Sequence, residues 1–138
     1  GPGAVKAPLQ KAADGKLYLT AQIKGRDAVL FIDTGATTII DLALAKSLGI
    51  ELTDTGMQGY GLTGVAGDRL SARLDLRIGQ LKITGAPCDC LDLGQLKEIN
   101  RKAGLPEFDG LIGADLLAAL RAVIDYDSLT LTMKRPGR

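Results

Sequence analysis

The sequence predicts a mainly β domain with a few short helices. Many short runs are apolar or alternate between apolar and polar residues, which is typical of strands. Gly, Asp, Ser and Pro separate these runs at close intervals, and only brief stretches favour a helix. No fixed-period repeat of the solenoid kind is present. The length of 138 residues suits one compact domain.

The first part of the chain lacks a clear strand pattern. Gly1-Pro2-Gly3 has no initiator Met and looks like a cloning remnant. The small and polar residues that follow predict a flexible N-terminal arm over residues 1–16. The folded domain is therefore expected to span residues 17–138.

The domain begins with a predicted hairpin and a short helix. Leu17–Ile23 alternates in part, and Ala28–Ile32 is a continuous apolar run that ends at Asp33. A polar turn joins the two, which is typical of a hairpin. Asp41 then suggests an N-cap for a helix over residues 42–48, with Gly49 as its stop.

The remaining elements follow the same logic. Leu70–Ile78 alternates well and predicts a strand with one buried face. The charged segment 95–103 predicts a helix with a solvated face that includes Lys97-Glu98 and Arg101-Lys102. Further strands are predicted over residues 81–84, 87–93, 111–113, 122–126 and 129–133, and a further helix over residues 115–120.

Composition excludes several classes of chemistry. The chain contains no His, which excludes Ser-His-Asp and Cys-His catalysis and every His-ligated metal site. The formal net charge of +1 gives no sign of a nucleic-acid partner. No apolar run approaches the length of a membrane span. Chemistry is thus expected to rest on carboxylates, hydroxyls, Lys, Arg or backbone groups.

The only cysteines are Cys88 and Cys90. On a strand, residues i and i+2 point to the same face at roughly 6.5–7 Å between Cα atoms, near the upper limit for an unstrained disulfide. The favoured interpretation is two reduced cysteines that pack in the core. A redox or metal role is the alternative.

The informative segment is Leu30–Ala36, which reads Leu-Phe-Ile-Asp-Thr-Gly-Ala. An acid directly after an apolar strand is unusual, because a buried carboxylate is costly unless it is paired or hydrogen-bonded. Gly35 lets backbone N–H groups approach the carboxylate of Asp33. Thr34 offers a hydroxyl, and Ala36 is small enough to leave space above a site.

This segment resembles the active-site loop of the retropepsin-like aspartic proteases, most closely the single-domain bacterial members. Their second motif, two apolar residues and a Gly before a helix, matches Leu111-Ile112-Gly113. The resemblance covers about Leu17 to Met133 and implies a closed β-barrel, the half-lobe of an acid protease. A second Asp-Thr-Gly at Asp54 lacks the apolar strand and the Ala. It is interpreted as a turn at the base of a flap. The resemblance implies that this flap is the glycine-rich hairpin over residues 60–67, which would close over a peptide; an exposed flexible hairpin without a lid role is the alternative.

The resemblance implies an aspartic endopeptidase that acts as a homodimer on peptide or protein substrates, without metal or cofactor. The alternative is a catalytically inactive peptide-binding or assembly module with the same fold. A chain-end segment, Leu129–Met133, is expected to pair with the partner, and the alternative is that it is simply the last strand of the sheet within one chain. Relatives of this type act near or beyond the inner membrane, which favours a periplasmic or membrane-anchored location. The implied catalytic residues are Asp33, Thr34 and Gly35, and the implied substrate-binding residues are Ala36, Thr37, Tyr60, Gly61, Leu62, Thr63, Gly64, Leu111 and Ile112.

The sequence also departs from the viral pattern. In viral members an acid in the loop pairs with an Arg after the second Gly. The matching positions here are Thr37 and Ala114. Because both partners are absent together, no charge is left unpaired, and the fold loses little. The absence of this ion pair is expected to affect the strength of dimerisation.

Overall fold

A computed structural model describes residues 3–58 and 68–135 of the chain. Its helices are short, and none of those in the described residues is long and apolar enough to cross a bilayer. The helices are α1 (Leu42–Ser47), α2 (Gly94–Lys102) and α3 (Ala114–Ala119). The strands are β1 (Ala4–Pro8), β2 (Gln10–Lys11), β3 (Leu17–Ile23), β4 (Arg26–Ile32), β5 (Ile39–Asp41), β6 (Thr53–Gln58), β7 (Asp68–Ile78), β8 (Leu81–Leu91), β9 (Gly110–Ile112), β10 (Val123–Asp125) and β11 (Thr130–Lys134).

The main sheet closes on itself. Its strands follow the order β2-β3-β4-β9-β5-β8-β7-β6, and β3 also pairs with β7. The second pairing turns strands β3, β4, β9, β5, β8 and β7 into a closed barrel. Closure removes the exposed edges that an open sheet of this length would present. The predicted mainly β class and the barrel are therefore confirmed.

The alternating pattern of the long strands fills the barrel. In β8 the side chains of Leu81, Ile83 and Ala86 are buried while their neighbours face outward. The register between β7 and β8 shifts between Leu74 and Leu76, so one long strand replaces the two predicted over 81–84 and 87–93. An irregularity of this kind bends a strand without ending it.

A small second sheet joins the two ends of the chain. Its order is β1-β11-β10, with β1 antiparallel to β11. Ala7 and Leu9 are buried, and the N–H of Leu9 donates to the carbonyl of Leu129 at 2.8 Å. The expectation of a flexible arm over residues 1–16 is wrong for residues 4–11, because they pair with strands from distant parts of the chain.

The same sheet contains the strand that was predicted to form the dimer interface. Leu129–Met133 was expected to pair with a partner, but β11 lies between β1 and β10. Both of its edges are thus already hydrogen-bonded within the chain. Among the described strands of this sheet, β10 and β1 hold the outer positions.

The sequence suggested that the second Asp-Thr-Gly is a turn, but in the structure it is part of a strand. Asp54 lies in β6, opposite Leu70 of β7. The register shifts between Asp54 and Met57, which is where the Thr-Gly pair falls. Gly is common at such irregularities because its backbone tolerates them.

Cys88 and Cys90 are free thiols buried in the barrel core, as the packing interpretation predicts. The hydrogen bond between the two thiols and burial raise the pKa of Cys88 well above its usual range. A protonated, buried thiol behaves as a small apolar side chain.

Candidate active site

Asp33 lies at the end of β4, directly beside the second motif. β4 and β9 are parallel, with Ile32 opposite Ile112. The N–H of Asp33 donates to the carbonyl of Ile112 at 2.9 Å. The pairing therefore brings together two motifs that are far apart in sequence, as the resemblance implied.

The Asp33 loop folds back on its own carboxylate. The N–H of Gly35 donates to Asp33 Oδ1 at 3.0 Å, and the N–H of Ala36 donates to the Asp33 carbonyl at 3.3 Å. A Cβ on Gly35 would lie 3.5 Å from Asp33 Oδ1. The side chain of Asp33 is half-buried, so the carboxylate is oriented by the loop while still open on one side.

Gly113 holds this loop against helix α3. A Cβ at Gly113 would overlap the backbone of Ala36 and Thr37. The N–H of Ala114, which opens α3, donates to the Ala36 carbonyl at 2.7 Å. Only Gly allows the two segments to approach this closely.

Thr38 and Asp115 form a second tie that sequence reasoning missed. Asp115 Oδ1 accepts from the N–H of Thr38 at 2.9 Å and from its hydroxyl at 2.8 Å. The Thr38 hydroxyl oxygen in turn accepts from the N–H of Gly113 at 3.1 Å. This network joins the loop to α3 inside one chain, where viral members use an ion pair.

A cavity of about 480 Å³ opens beside Asp33. Its apolar part includes Phe31 and Phe108, whose rings meet edge to face at 5.4 Å. Apolar and polar side chains share the lining, so the cavity offers both packing surface and hydrogen-bonding groups to a ligand. The cavity is lined by Gly15, Lys16, Leu17, Phe31, Ile32, Asp33, Thr34, Leu96, Asn100, Phe108, Leu111 and Tyr126.

The residues predicted for the site divide into groups. Thr34 and Leu111 line the cavity together with Asp33. Ile112 does not, because its side chain is fully buried in the core, and it contributes its carbonyl group instead. Ala36 is buried, and Thr37 lines a separate cleft that also contains Asp115. The predicted flap residues Tyr60, Gly61, Leu62, Thr63 and Gly64 lie outside the described residues.

Helix α2 contributes residues that the sequence did not point to. Leu96 and Asn100 line the cavity from this helix, although the segment was predicted only as a solvated helix. Lys97 also departs from that prediction, since its ammonium lies 3.5 Å from carboxylate oxygens of Asp41 and Asp109. The amphipathic pattern of α2 was the available signal, but it does not say what the apolar face covers.

Asp41 was predicted to cap α1, and it does precede that helix. Its side chain makes no capping hydrogen bond there. Asp41 Oδ1 instead accepts from the N–H of Leu93 at 3.0 Å, just before α2. The carboxylate is thus used to join two distant segments.

A family model described as aspartyl protease matches residues 19–116, which is more than half of the chain. The matched region contains both the Asp33 loop and Gly113. The chain belongs to the retropepsin-like aspartyl protease family.

Solved structures with the same fold support this assignment. This retropepsin-like chain is similar to a retropepsin-like aspartic protease from Rickettsia conorii, with 17% identity, a TM-score of 0.60, and coverage of 99% of this chain and 94% of that one. It is also similar to the retroviral protease-like domain of Ddi1 from Leishmania major, at 17% identity and a TM-score of 0.57, with 86% and 87% covered.

A viral enzyme is a third relative in structure. EIAV protease in complex with the inhibitor HBY-793 is 18% identical, with a TM-score of 0.52 and coverage of 82% of this chain and 95% of that chain. No curated protein sequence matches the chain. At these identities the likeness establishes the retropepsin-like fold, and the activity of this chain has to be argued from its own site.

Proposed function

We propose that this protein is an aspartic endopeptidase whose active site forms when two copies bring their Asp33 side chains together. The observation that carries the proposal is the position of Asp33. Its carboxylate is fixed by the N–H of Gly35, is half-buried, and opens onto a cavity suited to a substrate side chain. An oriented carboxylate beside a cavity that contains aromatic surface supplies one half of the site that this proposal needs.

The reaction needs two carboxylates that share one proton. Two like charges about 3 Å apart cannot both ionise, so the titrations of the pair separate. The ionised Asp33 takes a proton from water, whose oxygen forms a bond to the peptide carbonyl carbon. The protonated Asp33 of the other copy gives its proton to the carbonyl oxygen. The C–N bond of this intermediate then breaks as the nitrogen receives the proton that the first Asp33 took from water. One hydroxyl of the intermediate returns a proton to the other Asp33, which yields an acid, an amine and the starting protonation state of the pair.

The outer edge of β10 is the surface that we propose for the second copy. Val123 is 60% exposed and Tyr126 is 69% exposed, high values for large apolar side chains. Tyr126 also lines the cavity that contains Asp33. A copy that pairs with β10 across a two-fold axis would therefore meet this chain next to the catalytic carboxylate.

The test is cleavage of an unfolded protein. We expect casein to be cut in the acid to neutral range by the wild-type chain and not by Asp33→Asn. Asp54→Asn is a matched control, because Asp54 begins the other Asp-Thr-Gly and is exposed in β6. We expect this control to cleave casein at the wild-type rate.

Two outcomes would overturn the proposal. Equal loss of cleavage in both variants would show that the Asp33 loop has no special role. Absence of cleavage by the wild-type chain at every pH, with peptide binding retained, would instead identify an inactive peptide-binding module. A thermal melt of each variant shows whether the protein is folded before its activity is compared.

A further inference from the structure

Helix α2 is held to the barrel in an unusual way. None of its residues is buried, yet Leu96 and Asn100 form one wall of the cavity beside Asp33. A short helix with little buried surface gains little stability from packing. Its position therefore depends on the packing of Leu96 against the cluster that contains Phe31 and Phe108, and on polar contacts with the barrel.

Lys97 provides such a contact. It lies between Leu96 and Asn100 in sequence, and its ammonium is 3.5 Å from Asp41 Oδ2 and 3.5 Å from Asp109 Oδ1. The side chains of Lys97 and Asp41 are only 27% and 6% exposed. Solvent screens charges at such sites weakly, so this interaction differs from an ordinary surface ion pair.

Both carboxylates also accept hydrogen bonds from backbone N–H groups, Asp109 from barrel strand β4 and Asp41 from the residue directly before α2. The N–H of Leu93 donates to Asp41 Oδ1 at 3.0 Å, and the N–H of Val29 donates to Asp109 Oδ2 at 2.9 Å. The N–H of Asp41 also donates to the Asp109 carbonyl at 2.8 Å. Lys97 thus contacts two carboxylates that have little freedom to follow the helix if it moves.

The other charged side chains of α2 do not share this role. Glu98 pairs with Arg101 and Lys102 on the same helix. The side chains of Arg101 and Lys102 are 59% and 75% exposed. Pairs of this kind connect one turn of a helix to the next and contribute little.

We propose that Lys97 is a positioning residue that holds α2 as a fixed wall of the substrate cavity, so that the site prefers a large apolar side chain. This inference rests on the proposed protease function and deepens it. With Lys97 in place, Leu96 and Asn100 line the same cavity as Phe31 and Phe108, and Leu96 packs against that aromatic cluster. If the wall moves away, a large side chain loses contact on one side, whereas a small one loses little.

The experiment compares Lys97→Met with Lys102→Met, a matched control on the exposed face of the same helix. Each is made in the Asp33→Asn background, so that bound peptides stay intact. The probes are two fluorescent peptides that are identical except for Phe or Ala at the central position. We expect the control to bind the Phe peptide about tenfold more tightly than the Ala peptide, and Lys97→Met to reduce this ratio to about twofold.

Hydrogen exchange of the α2 amides in the same proteins provides a readout that does not depend on peptides. We expect faster exchange in Lys97→Met and no change in Lys102→Met. Lys97→Arg should restore both slow exchange and the preference for Phe. If Lys97→Met does not fold, Asp109→Asn removes one of the two carboxylates while its side-chain oxygen still accepts from Val29, and an intermediate loss of preference is expected.

Three outcomes would overturn the inference. They are unchanged α2 exchange in Lys97→Met, faster exchange with an unchanged Phe to Ala ratio, and failure of the background protein to bind either peptide. Casein cleavage by the wild-type chain is measured separately. Absence of cleavage with a reduced ratio in Lys97→Met would reject the protease function and leave the role of Lys97 as peptide selection in a binding protein.

Discussion

The carboxylate of Asp115 accepts two hydrogen bonds from Thr38, at 2.9 Å from its N–H and 2.8 Å from its hydroxyl. The residues are 77 positions apart, and Thr38 is only 1% exposed. One residue follows the Asp33 loop and the other lies in the first turn of α3. Their contact therefore sets the distance between the two halves of the site.

Thr38→Val tests this relationship, since it keeps the shape of the side chain and removes the hydroxyl. The N–H of Gly113 then loses its acceptor, and the Asp115 carboxylate loses one of the two hydrogen bonds from Thr38. We expect the free energy of unfolding to fall by roughly 2–3 kcal/mol, the cost of leaving buried polar groups unpaired. Urea unfolding measures the change. Thr20→Val, at an exposed position of β3, should stay within about 0.5 kcal/mol of the wild-type value.

An equal, small effect of both valine substitutions would contradict this account. It would mean that the Thr38 hydroxyl contributes no more than a surface group. A large effect of Thr38→Val with cleavage of casein unchanged at low temperature would separate stability from catalysis and assign Thr38 to the fold alone.

The part of the site that could be predicted is the part with local signals. Asp33 follows an apolar strand, and Gly113 precedes a helix, so each pattern is visible in a few neighbouring residues. The contact between these two motifs, across β4 and β9, could be predicted because both occur together in the family that the sequence resembles. The closed barrel followed in the same way.

The parts that could not be predicted depend on long-range partners. Residues 4–8 read Ala-Val-Lys-Ala-Pro, which does not predict a strand by itself, and they become a strand only because β11 is available to pair with them. Asp41 carries the pattern of a helix cap, but its carboxylate is used by Leu93 and Lys97. Nothing within a few residues of Lys97 or Thr38 indicates the distant carboxylate that each one contacts.

The two glycines of the site are predicted to respond differently to Ala. A Cβ at Gly113 would overlap the backbone of Ala36 and Thr37, so Gly113→Ala must displace the loop. We expect a loss of about 3 kcal/mol or more in the free energy of unfolding. At Gly35 the nearest atom to a Cβ is Asp33 Oδ1 at 3.5 Å, an ordinary contact. Stability should change by less than about 1 kcal/mol.

Although Gly35→Ala should change stability little, it should strongly reduce cleavage. A methyl group beside the Asp33 carboxylate occupies space that the attacking water or the substrate backbone needs. We expect kcat/KM of Gly35→Ala to fall roughly 100-fold in a protein that melts like the wild type. Full activity in Gly35→Ala would show that this side of the carboxylate is not used in the reaction.

The turn between β10 and β11 is predicted to be sensitive to acid. Asp125 Oδ1 accepts from the N–H groups of Ser128 and Asp127, and these bonds lower the pKa of Asp125 below its usual value of 3.8. A lowered pKa in the folded state adds stability at pH values above 3.8, and this stability is lost as the pH falls through the folded pKa. The folded protein thus loses this contribution only in strong acid.

Melting temperatures of the wild type and Asp125→Asn measure this effect. At about pH 6 the wild type should be the more stable, and the difference should shrink as the pH falls below 3.8 and through the folded-state pKa. Asp127→Asn removes a charge in the same turn but keeps the carboxylate of Asp125 as acceptor. The difference in melting temperature between Asp127→Asn and the wild type should not show this dependence on pH. A pH-independent difference for Asp125→Asn would refute the assignment.

The edge of β10 offers the most direct test of the proposed dimer. Val123→Lys places a charge at an edge strand, which disfavours pairing with another strand. In a two-fold interface the change is present twice, so the dimer dissociation constant should rise at least about tenfold. Sedimentation velocity over a range of concentrations measures it. Ile99→Lys is the matched control, since Ile99 is equally exposed at 60% but lies on α2.

The rate of cleavage should follow the monomer–dimer equilibrium. If each site needs one Asp33 from each copy, cleavage by Val123→Lys should be weak at low protein concentration and should recover as concentration rises. The dependence should match the dissociation constant from sedimentation, and Ile99→Lys should behave like the wild type. Cleavage per chain that stays constant down to concentrations where only monomers sediment would show that one Asp33 suffices, and the shared carboxylate pair would have to be abandoned.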